Sequence, residues 1–209
     1  MRNEIFTVGH STQPVEQFVR LLRTYGITTI ADVRSTPYSR HNSQFNREDL
    51  RGVLKGHDIK YVFLGKELGA RTADERCYRD DKVQYALLAK TTQFQSGIAR
   101  VIEGAATYKI AMMCAEKDPL DCHRTILVAR ALVRQGCTVT HILANGSRES
   151  HQEAMSRLVV RMGLADDLFR SQELTIEEAY EKQGNRIAYD RRIHRAAEVD
   201  GDEFRESEG

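Results

Sequence analysis

The chain has 209 residues, of which 41% are hydrophobic and 29% charged, and its formal net charge is +1 at neutral pH. These values fit one globular domain with a short extra segment. With a mean hydropathy of -0.51, the chain offers no run of roughly 20 apolar residues that would span a membrane. The near-neutral charge excludes a protein that coats nucleic acid or anionic lipid by bulk electrostatics.

The cysteines and the first residues predict a cytosolic location. The four cysteines, at positions 77, 114, 122 and 137, are too few and too widely spaced for the disulfide scaffold of a small secreted protein. The opening sequence MRNEIFTVGH lacks the apolar core of a secretion signal. Any cysteine chemistry is therefore expected to involve thiolates or metal ions in a reducing environment.

The first predicted elements form a βαβ unit. Residues 5–8 are a β-rich run, and residues 27–33 predict a strand that is buried on both faces. Between them lies a helix with an apolar stripe, in which Pro14 suits the first turn and Gly26 suits the C-terminal stop. A strand, a helix and a second strand in this order imply a parallel sheet with a right-handed crossover.

The rest of the chain continues this alternation of strands and helices. We predict, in chain order, a polar loop at Ser35–Asn46, a helix after Asn46, a strand at Lys60–Leu64, an irregular stretch at Lys66–Asp81, helices near 83–88 and 98–102, a strand at 107–113, a helix at Cys122–Gln135 with Asp121 as its N-cap, a strand at 138–143, and helices near 149–162 and 173–183.

These elements predict an α/β fold, a three-layer Rossmann-like domain with a mostly parallel sheet of about five strands. We assign residues 1–189 to this single domain, because no internal repeat or linker divides it. Residues 190–209 carry 7 acidic and 4 basic side chains and few apolar ones. This composition predicts a charged tail that is mobile or docked on a partner.

Unusual polar residues follow most of the predicted strands. In open parallel sheets, ligands bind beyond the carboxyl ends of the strands. The residues found there are Gly9-His10-Ser11, Asp32-Val33-Arg34, Gly65 with Glu67 and Gly69, Cys114-Ala115-Glu116, and Ala144-Asn145-Gly146. We therefore expect a functional site at this edge of the sheet.

The densest cluster of chemistry-bearing residues lies between the fourth strand and the following helix. Its sequence is Cys114-x-Glu116-x5-Cys122-His123-Arg124. If Asp121 caps the helix, the last three of these residues occupy its first turn, where free N–H groups and the helix dipole favour anions. A cysteine in this position has a lowered pKa. Cys122 is thus the better thiolate candidate, with Cys114 in plausible reach of it.

Three chemistries compete for this cluster. A tyrosine-phosphatase loop needs an arginine six positions after its cysteine, but Leu120 and Val128 occupy those positions. A metal site could use Cys114, Cys122 and His123, with His10 as a further ligand, although the spacing matches no recognised zinc pattern. The third possibility is an anion pocket in which arginines hold phosphate while a thiol, a carboxylate or an imidazole performs the chemistry.

A second cluster follows the second strand. It reads Arg34-Ser35-Thr36-Pro37-Tyr38-Ser39-Arg40-His41 and continues to Phe45 and Arg47. The chain has 23 arginines and 8 lysines, and guanidinium groups bind phosphate while aromatic rings stack on bases. The loop therefore predicts a phosphate-and-base site, with a solvated surface loop as the alternative. Asp32 is equally a structural partner for Arg34, and His10 either satisfies a buried carbonyl or transfers protons.

Five ordered motifs resemble the domain-of-unknown-function family 488. They are Thr7-Val8-Gly9-His10-Ser11-Thr12, Asp32-Val33-Arg34-Ser35-x-Pro37-x-Ser39, Tyr61-x-x-Leu64-Gly65-x-x-Leu68-Gly69, Cys114-Ala115-Glu116-x-Asp118-Pro119-x-x-Cys122-His123-Arg124, and His141-Ile142. The resemblance runs over about residues 4–146, with a further match in the Gly184-Asn185-Arg186-Ile187-Ala188-Tyr189 region, and implies a compact cytosolic α/β domain. The predicted helices over 147–189 extend this core. The resemblance supplies no substrate, cofactor or catalytic residue.

The leading hypothesis is a small cytosolic thiol enzyme that binds a phosphorylated ligand, either a nucleotide or a nucleic-acid end or base. The candidate catalytic residues are Cys114, Glu116, Cys122, His123 and His10, and the candidate anion-binding residues are Arg34, Arg40, Arg124, Ser11 and Asp32. The alternatives are a non-catalytic nucleic-acid-binding module and a Cys/His metal or redox protein. The sequence assigns no membrane partner, no cofactor and no oligomeric state.

Overall fold

The computed structural model describes residues 4–164 and 171–193, which fold around a six-stranded sheet. The strands are β1 (Glu4–Gly9), β2 (Thr29–Asp32), β3 (Lys60–Phe63), β4 (Tyr78–Arg79), β5 (Lys82–Val83), β6 (Ile110–Cys114), β7 (Thr138–Ile142) and β8 (Arg148–Ser150). The helices are α1 (Val15–Thr24), α2 (Arg47–Lys55), α3 (Gly65–Leu68), α4 (Tyr85–Leu88), α5 (Thr92–Ala105), α6 (Arg130–Arg134), α7 (His151–Arg161) and α8 (Gln172–Ile187). A π-helical segment, Arg124–Ala129, leads directly into α6.

The strand order in the main sheet is β3-β2-β6-β1-β7-β8. The first five strands in this order are parallel to their neighbours, and β8 is antiparallel to β7. The predicted Rossmann-like α/β fold with a mostly parallel sheet is therefore confirmed. The sequence did not predict the short edge strand β8 of this sheet, nor β4 and β5, which form a separate two-stranded hairpin.

Helices cover both faces of the sheet. On one face, Phe18 and Leu22 of α1 and Leu54 of α2 pack against Phe6 of β1. Ile5 belongs to a larger cluster on the other face, where α5, α6, α7 and α8 pack. Because successive side chains of a strand point to opposite faces, both faces of β1 are buried. This burial explains the continuous apolar runs in the sequence.

The sheet order brings the carboxyl ends of three strands together. Strand β6 lies between β1 and β2, so Gly9 pairs with Cys114 and Asp32 pairs with Met113. The residues that follow these strands, among them His10 and Arg34, therefore share one edge. A βαβ pattern read in chain order would pair β1 directly with β2 and would miss this insertion.

Two local predictions differ from the structure. The stretch predicted to be irregular at Lys66–Asp81 contains part of α3, a 3-10 turn at Glu75–Cys77 and strand β4. Asn46 does precede α2 as predicted, but its side chain makes no cap hydrogen bond and instead accepts one from the Ser39 N–H at 2.7 Å. Both differences arise from short-range polar contacts that leave no hydrophobic periodicity in the sequence.

The C-terminal helix α8 packs on the core of the sheet domain. Gln183 is buried and donates a hydrogen bond to the Leu120 carbonyl at 2.7 Å. Beyond α8, the backbone of Asp190 forms an isolated antiparallel β-bridge with Lys82. Arg191 forms an ion pair with Glu75. The predicted mobile tail begins at residue 190, and from residue 194 onward it lies outside the described residues. Within residues 4–164 and 171–193, no helix is long and apolar enough to cross a membrane.

A buried chain of hydrogen bonds joins the sheet to α8. Thr7 Oγ1 lies 2.8 Å from His141 Nδ1, His141 Nε2 lies 3.1 Å from His151 Nδ1, and His151 Nε2 lies 2.5 Å from the Tyr180 hydroxyl. Burial lowers the pKa of His151 to about 4 and that of His141 well below its usual 6.5. Both imidazoles are therefore neutral in the folded protein at neutral pH.

The two buried histidines predict a fold that loses stability in acid. The unfolded chain takes up protons at these histidines near pH 6.5 while the folded chain does not, so stability falls as the pH drops from about 6.5 towards 4. Each histidine lowers the unfolding free energy by up to about 1.4 kcal/mol per pH unit. Urea denaturation at pH 7.5 and pH 5 measures this slope. The variant His151→Gln should flatten it, and substitution of the exposed His57 should leave it unchanged; equal slopes in all three proteins would contradict the explanation.

The close approach at Gly9 gives a second prediction. A Cβ atom on Gly9 would lie 1.9 Å from the Glu116 carbonyl oxygen, whereas a Cβ on Gly52, in the exposed middle of α2, would meet nothing within 4 Å. Gly9→Ala should therefore destabilise the fold by about 1–3 kcal/mol or more. Gly52→Ala should stabilise it by about 0.5–1 kcal/mol. Denaturant midpoints measure both changes in stability. A Gly9→Ala variant that is as stable as the wild type would contradict the prediction and show that the loop after β6 shifts easily to accommodate the Cβ atom.

Candidate functional site

The corner after β6 is built by a short turn that ends in an extended residue. Asp118 accepts a hydrogen bond from the Leu120 N–H and caps a 3-10 turn at Pro119–Asp121. Cys122 then has extended backbone, with φ −134° and ψ 140°. The predicted helix start with Asp121 as N-cap is therefore wrong, because the 3-10 turn uses Asp121. Its carboxylate instead contacts Arg161 at 2.5 Å.

Cys122 lies two residues before the π-helical segment Arg124–Ala129, and the residue between them, His123, is already helical. The Cys122 carbonyl accepts hydrogen bonds from the N–H groups of Thr125 and Ile126, and its thiol accepts one from the Arg124 N–H at 3.4 Å. The Cys122 sulfur thus accepts the backbone N–H hydrogen bond that a serine or aspartate oxygen usually accepts at the start of a helix. This contact fixes the side chain of Cys122 towards the end of β6.

Two thiols and one imidazole converge at this corner. Cys114 Sγ lies 3.7 Å and Cys122 Sγ lies 3.8 Å from the same atom, His123 Nδ1. The three ligand atoms all lie within 4.8 Å of one another, and all three side chains are buried. The other ring nitrogen, Nε2, lies 3.0 Å from the Val33 carbonyl. A carbonyl only accepts, so Nε2 carries the proton and Nδ1 of the neutral ring presents its lone pair to both sulfurs.

The neighbouring groups shift the pKa values of the two thiols in opposite directions. Burial raises the pKa of Cys114, and the hydrogen bond and charge of Cys122 raise it further. Burial acts in the same direction on Cys122, but the contacts with Cys114, Arg124 and His123 outweigh it and lower its pKa. Burial likewise opposes protonation of His123, and Cys122 outweighs that effect and raises its pKa. The cluster therefore favours one thiolate beside an imidazole.

A cavity of about 360 Å³ opens onto this cluster. Cys114, Glu116 and His123 line it, together with Arg34 from the end of β2. Cys122 is 1% exposed and does not line the cavity. A small molecule in the cavity would thus meet one thiol, the imidazole and the Glu116 side chain.

Arg124 anchors the loop between β6 and the helical segment. Its guanidinium is 1% exposed, and it donates hydrogen bonds to the carbonyls of Glu116 at 2.9 Å and Lys117 at 3.5 Å. Its Nη2 would lie 3.1 Å from a Cβ atom on Gly9. Arg124 therefore lies beneath the loop and does not line the cavity, so its role as an anion ligand stays a prediction.

A second buried network stands at the end of β2. The Asp32 carboxylate accepts hydrogen bonds from Arg34 Nε at 2.9 Å, from Arg34 Nη2 at 2.6 Å and from the Tyr61 hydroxyl at 2.6 Å. Arg34 also donates to the Phe45 carbonyl and, through Nη1, to His10 Nε2 at 3.2 Å. Burial alone would lower the pKa of Arg34, but its bonds to Asp32 outweigh this and raise it. Asp32 is thus a structural partner that holds a permanently charged guanidinium.

His10 is held as a neutral acceptor. Its Nδ1 donates to the Ser11 carbonyl at 2.8 Å, so its Nε2 lone pair faces Arg34. Burial lowers the pKa of His10 to about 4, against the opposing effect of that carbonyl. Its ring stacks on Phe45 with centroids 4.2 Å apart. Phe45 is fully buried, so the expectation that its ring stacks on a base is wrong.

The remaining predicted residues lie at the margins of the site. Ser11 has a φ of 49°, and its N–H donates to the Ala115 carbonyl, which ties the loops after β1 and β6 together. Arg40 and Tyr38 are exposed on the loop after β2 and do not line the cavity. Arg71, Tyr85 and Tyr189 also line the cavity, although no sequence motif pointed to them as site residues. They are far apart in the sequence, and only the three-dimensional structure brings them to the site.

Comparison with known proteins identifies the family. The family model described as "Domain of unknown function DUF488" matches residues 14–131, which is more than half of the chain. No curated protein and no solved structure matches it. The matched range includes the β2 end, the corner cluster and the helical segment after it. The chain therefore belongs to the DUF488 family.

Proposed function

We propose that the protein is a metal-dependent hydrolytic enzyme whose centre is a zinc ion held by Cys114, Cys122 and His123. The observation that carries this proposal is the convergence of two sulfurs on one nitrogen, at 3.7 and 3.8 Å. Tetrahedral zinc with bonds of about 2.3 Å to sulfur and about 2.0–2.1 Å to nitrogen requires a sulfur–nitrogen separation of about 3.5–3.6 Å. The two observed sulfur–nitrogen separations are close to this value, and all three donor atoms lie within 4.8 Å of one another.

The hydrogen bonds around the three residues suit metal ligands. Metal-binding histidines usually donate their second ring N–H to a carbonyl or carboxylate, as His123 does to Val33. The Arg124 N–H points at the Cys122 sulfur and would stabilise it as a thiolate. The single Nδ1 lone pair can accept from only one thiol at a time, whereas one zinc ion satisfies all three donor atoms. Soft thiolates with an imidazole favour zinc over harder ions.

Three protein ligands leave a fourth position for water, as in catalytic zinc sites. The cavity gives this position access to solvent and substrate, and Glu116 lines the cavity beside it. A zinc ion held by these residues would supply a water of lowered pKa. Glu116 would accept a proton from that water as the water attacks an electrophilic carbon or phosphorus atom, and Glu116 would return the proton to the leaving group. Zinc enzymes with a His/Cys/Cys donor set and a separate glutamate use this division of roles.

A metal-free thiol enzyme is the second candidate. The contact of Cys114 with His123, at the wall of the cavity, favours it, because a thiol and a base in contact form an activated nucleophile. The two thiols are poorly matched to that task, however. Cys122 has the lowered pKa but does not line the cavity, and Cys114 lines the cavity but has a raised pKa.

Metal analysis separates the two candidates. Protein purified without chelator and reconstituted with zinc should hold one zinc ion per chain, measured by elemental analysis after gel filtration. Cys114→Ser, Cys122→Ser and His123→Asn should each lower zinc affinity at least tenfold, since each removes one of three ligands. Cys77→Ser and Cys137→Ser serve as matched controls, because both cysteines are buried away from the cluster. Wild-type protein that takes up no zinc would overturn the proposal and leave the thiol enzyme.

A further inference from the structure

We infer that the substrate of this centre carries a phosphate group, which binds between Lys66 and Arg71 at the mouth of the cavity. This inference rests on the proposed enzyme for the reacting end of the substrate, but the phosphate site itself stands on separate residues. A second depression, which we call the basic groove, lies beside the cavity. Its charged lining residues are Lys66, Arg71 and Arg191.

The basic groove adjoins the cavity. Ser35, Thr36, Arg71 and Tyr189 line both of them. A molecule that lies over these shared residues would reach from the cavity into the groove. One end of such a molecule would meet the proposed metal ion, and the other end would meet the cations of the groove.

The groove carries an uncompensated positive charge. Among the described residues that line it, none is acidic. Arg191 forms an ion pair with the exposed Glu75, but Lys66 and Arg71 form no ion pair within the described part of the chain. Arginines elsewhere in the protein are commonly paired, as Arg34 is with Asp32 and Arg157 with Asp118 and Glu149. Two cations without ion-pair partners that line the same groove repel each other, and a bound anion would offset this repulsion.

Arg71 is held in place before any ligand arrives. Its backbone N–H donates to Ser35 Oγ at 3.0 Å, which fixes the backbone, and its guanidinium is held over the Tyr189 ring, 4.5 Å from the centroid. Ser35 packs tightly on Gly69, since a Cβ atom added to Gly69 would lie 2.5 Å from Ser35 Oγ. A planar guanidinium fixed in this way loses little side-chain entropy on binding and suits the oxygens of a phosphate.

A buried donor continues the path towards the metal site. Arg34 is 6% exposed and lines the cavity. Four of its five N–H groups bind Asp32, the Phe45 carbonyl and His10, which leaves one N–H on Nη1 without a partner among the described residues. A polar donor in a buried position needs an acceptor, and an oxygen of a substrate in the cavity would supply it.

Phosphate fits this arrangement better than a carboxylate. It carries close to two negative charges and three strong acceptor oxygens near neutral pH. Lys66 supplies a point charge, Arg71 a planar donor pair, and Ser35 and Thr36 have hydroxyl side chains at the same place. The phosphate can belong to a small phosphomonoester or to the backbone of a nucleic acid, since both present the same oxygens.

Binding measurements on the zinc-loaded protein test the inference. Calorimetry with inorganic phosphate, adenosine 5′-monophosphate, adenosine and a short single-stranded oligonucleotide compares ligands with and without phosphate. We expect the monophosphate to bind at least tenfold more tightly than adenosine. Lys66→Ala and Arg71→Ala should each weaken phosphate-bearing ligands about five- to tenfold, because each removes one charge-assisted contact. Arg20→Ala and Lys55→Ala remove the same charge at exposed positions outside the groove and should change affinity less than twofold.

The outcomes separate this inference from the proposed function. Tighter binding of the monophosphate than of the oligonucleotide would assign a small substrate, and tighter, salt-dependent binding of the oligonucleotide would assign a nucleic acid. Adenosine and its monophosphate binding equally well, or the groove variants behaving like the controls, would overturn the inference. Zinc content is measured on the same samples, so a protein that binds phosphate through the groove but takes up no zinc would refute the metal centre alone.

Discussion

The hydrogen bond between His123 and the Val33 carbonyl is the interaction on which the site depends. It joins the end of β2 to the corner after β6, and it decides which imidazole nitrogen is free to meet the two sulfurs. With the ring flipped by about 180°, the carbon Cδ2 would take the place of Nδ1, and the two thiols would lose their common nitrogen partner. A single backbone acceptor thus sets both the position and the protonation of the central ligand.

That acceptor is available because of the strand order. Placing β6 between β1 and β2 puts the chain at Val33 directly beside the end of β6, where the Val33 N–H donates to the Met113 carbonyl. The adjoining Asp32–Arg34 pair then stiffens the end of β2, and His10 closes the network from β1. Three strand ends are therefore joined by polar contacts at the base of the cavity, and these contacts hold the donor atoms in place.

The sequence could predict the elements and the chemical cluster, but not their arrangement. Apolar runs and glycine stops located five strands, and the rule that parallel strands end at one edge grouped Cys114, Cys122 and His123 correctly. The cap was assigned wrongly because Asp118 and Asp121 are both suitable capping residues, and only the 3-10 turn decides between them. Arg71 and Tyr189 lie 118 positions apart, in segments without periodicity, so no local pattern joins them.

The net charge of the whole chain is near zero, but its charged side chains are distributed unevenly over the surface. The chain has 23 arginines. Many of those in the described residues form ion pairs or donate hydrogen bonds to carbonyl groups, as Arg124 does beneath the loop after β6. Such pairs hold the fold and present little field to a ligand. The basic groove differs because Lys66 and Arg71 have no carboxylate partner among the described residues and lie beside a cavity that is also lined by the thiol of Cys114. An anion drawn to the groove would therefore be guided to the cavity by a field of short range, which a net charge of +1 does not reveal.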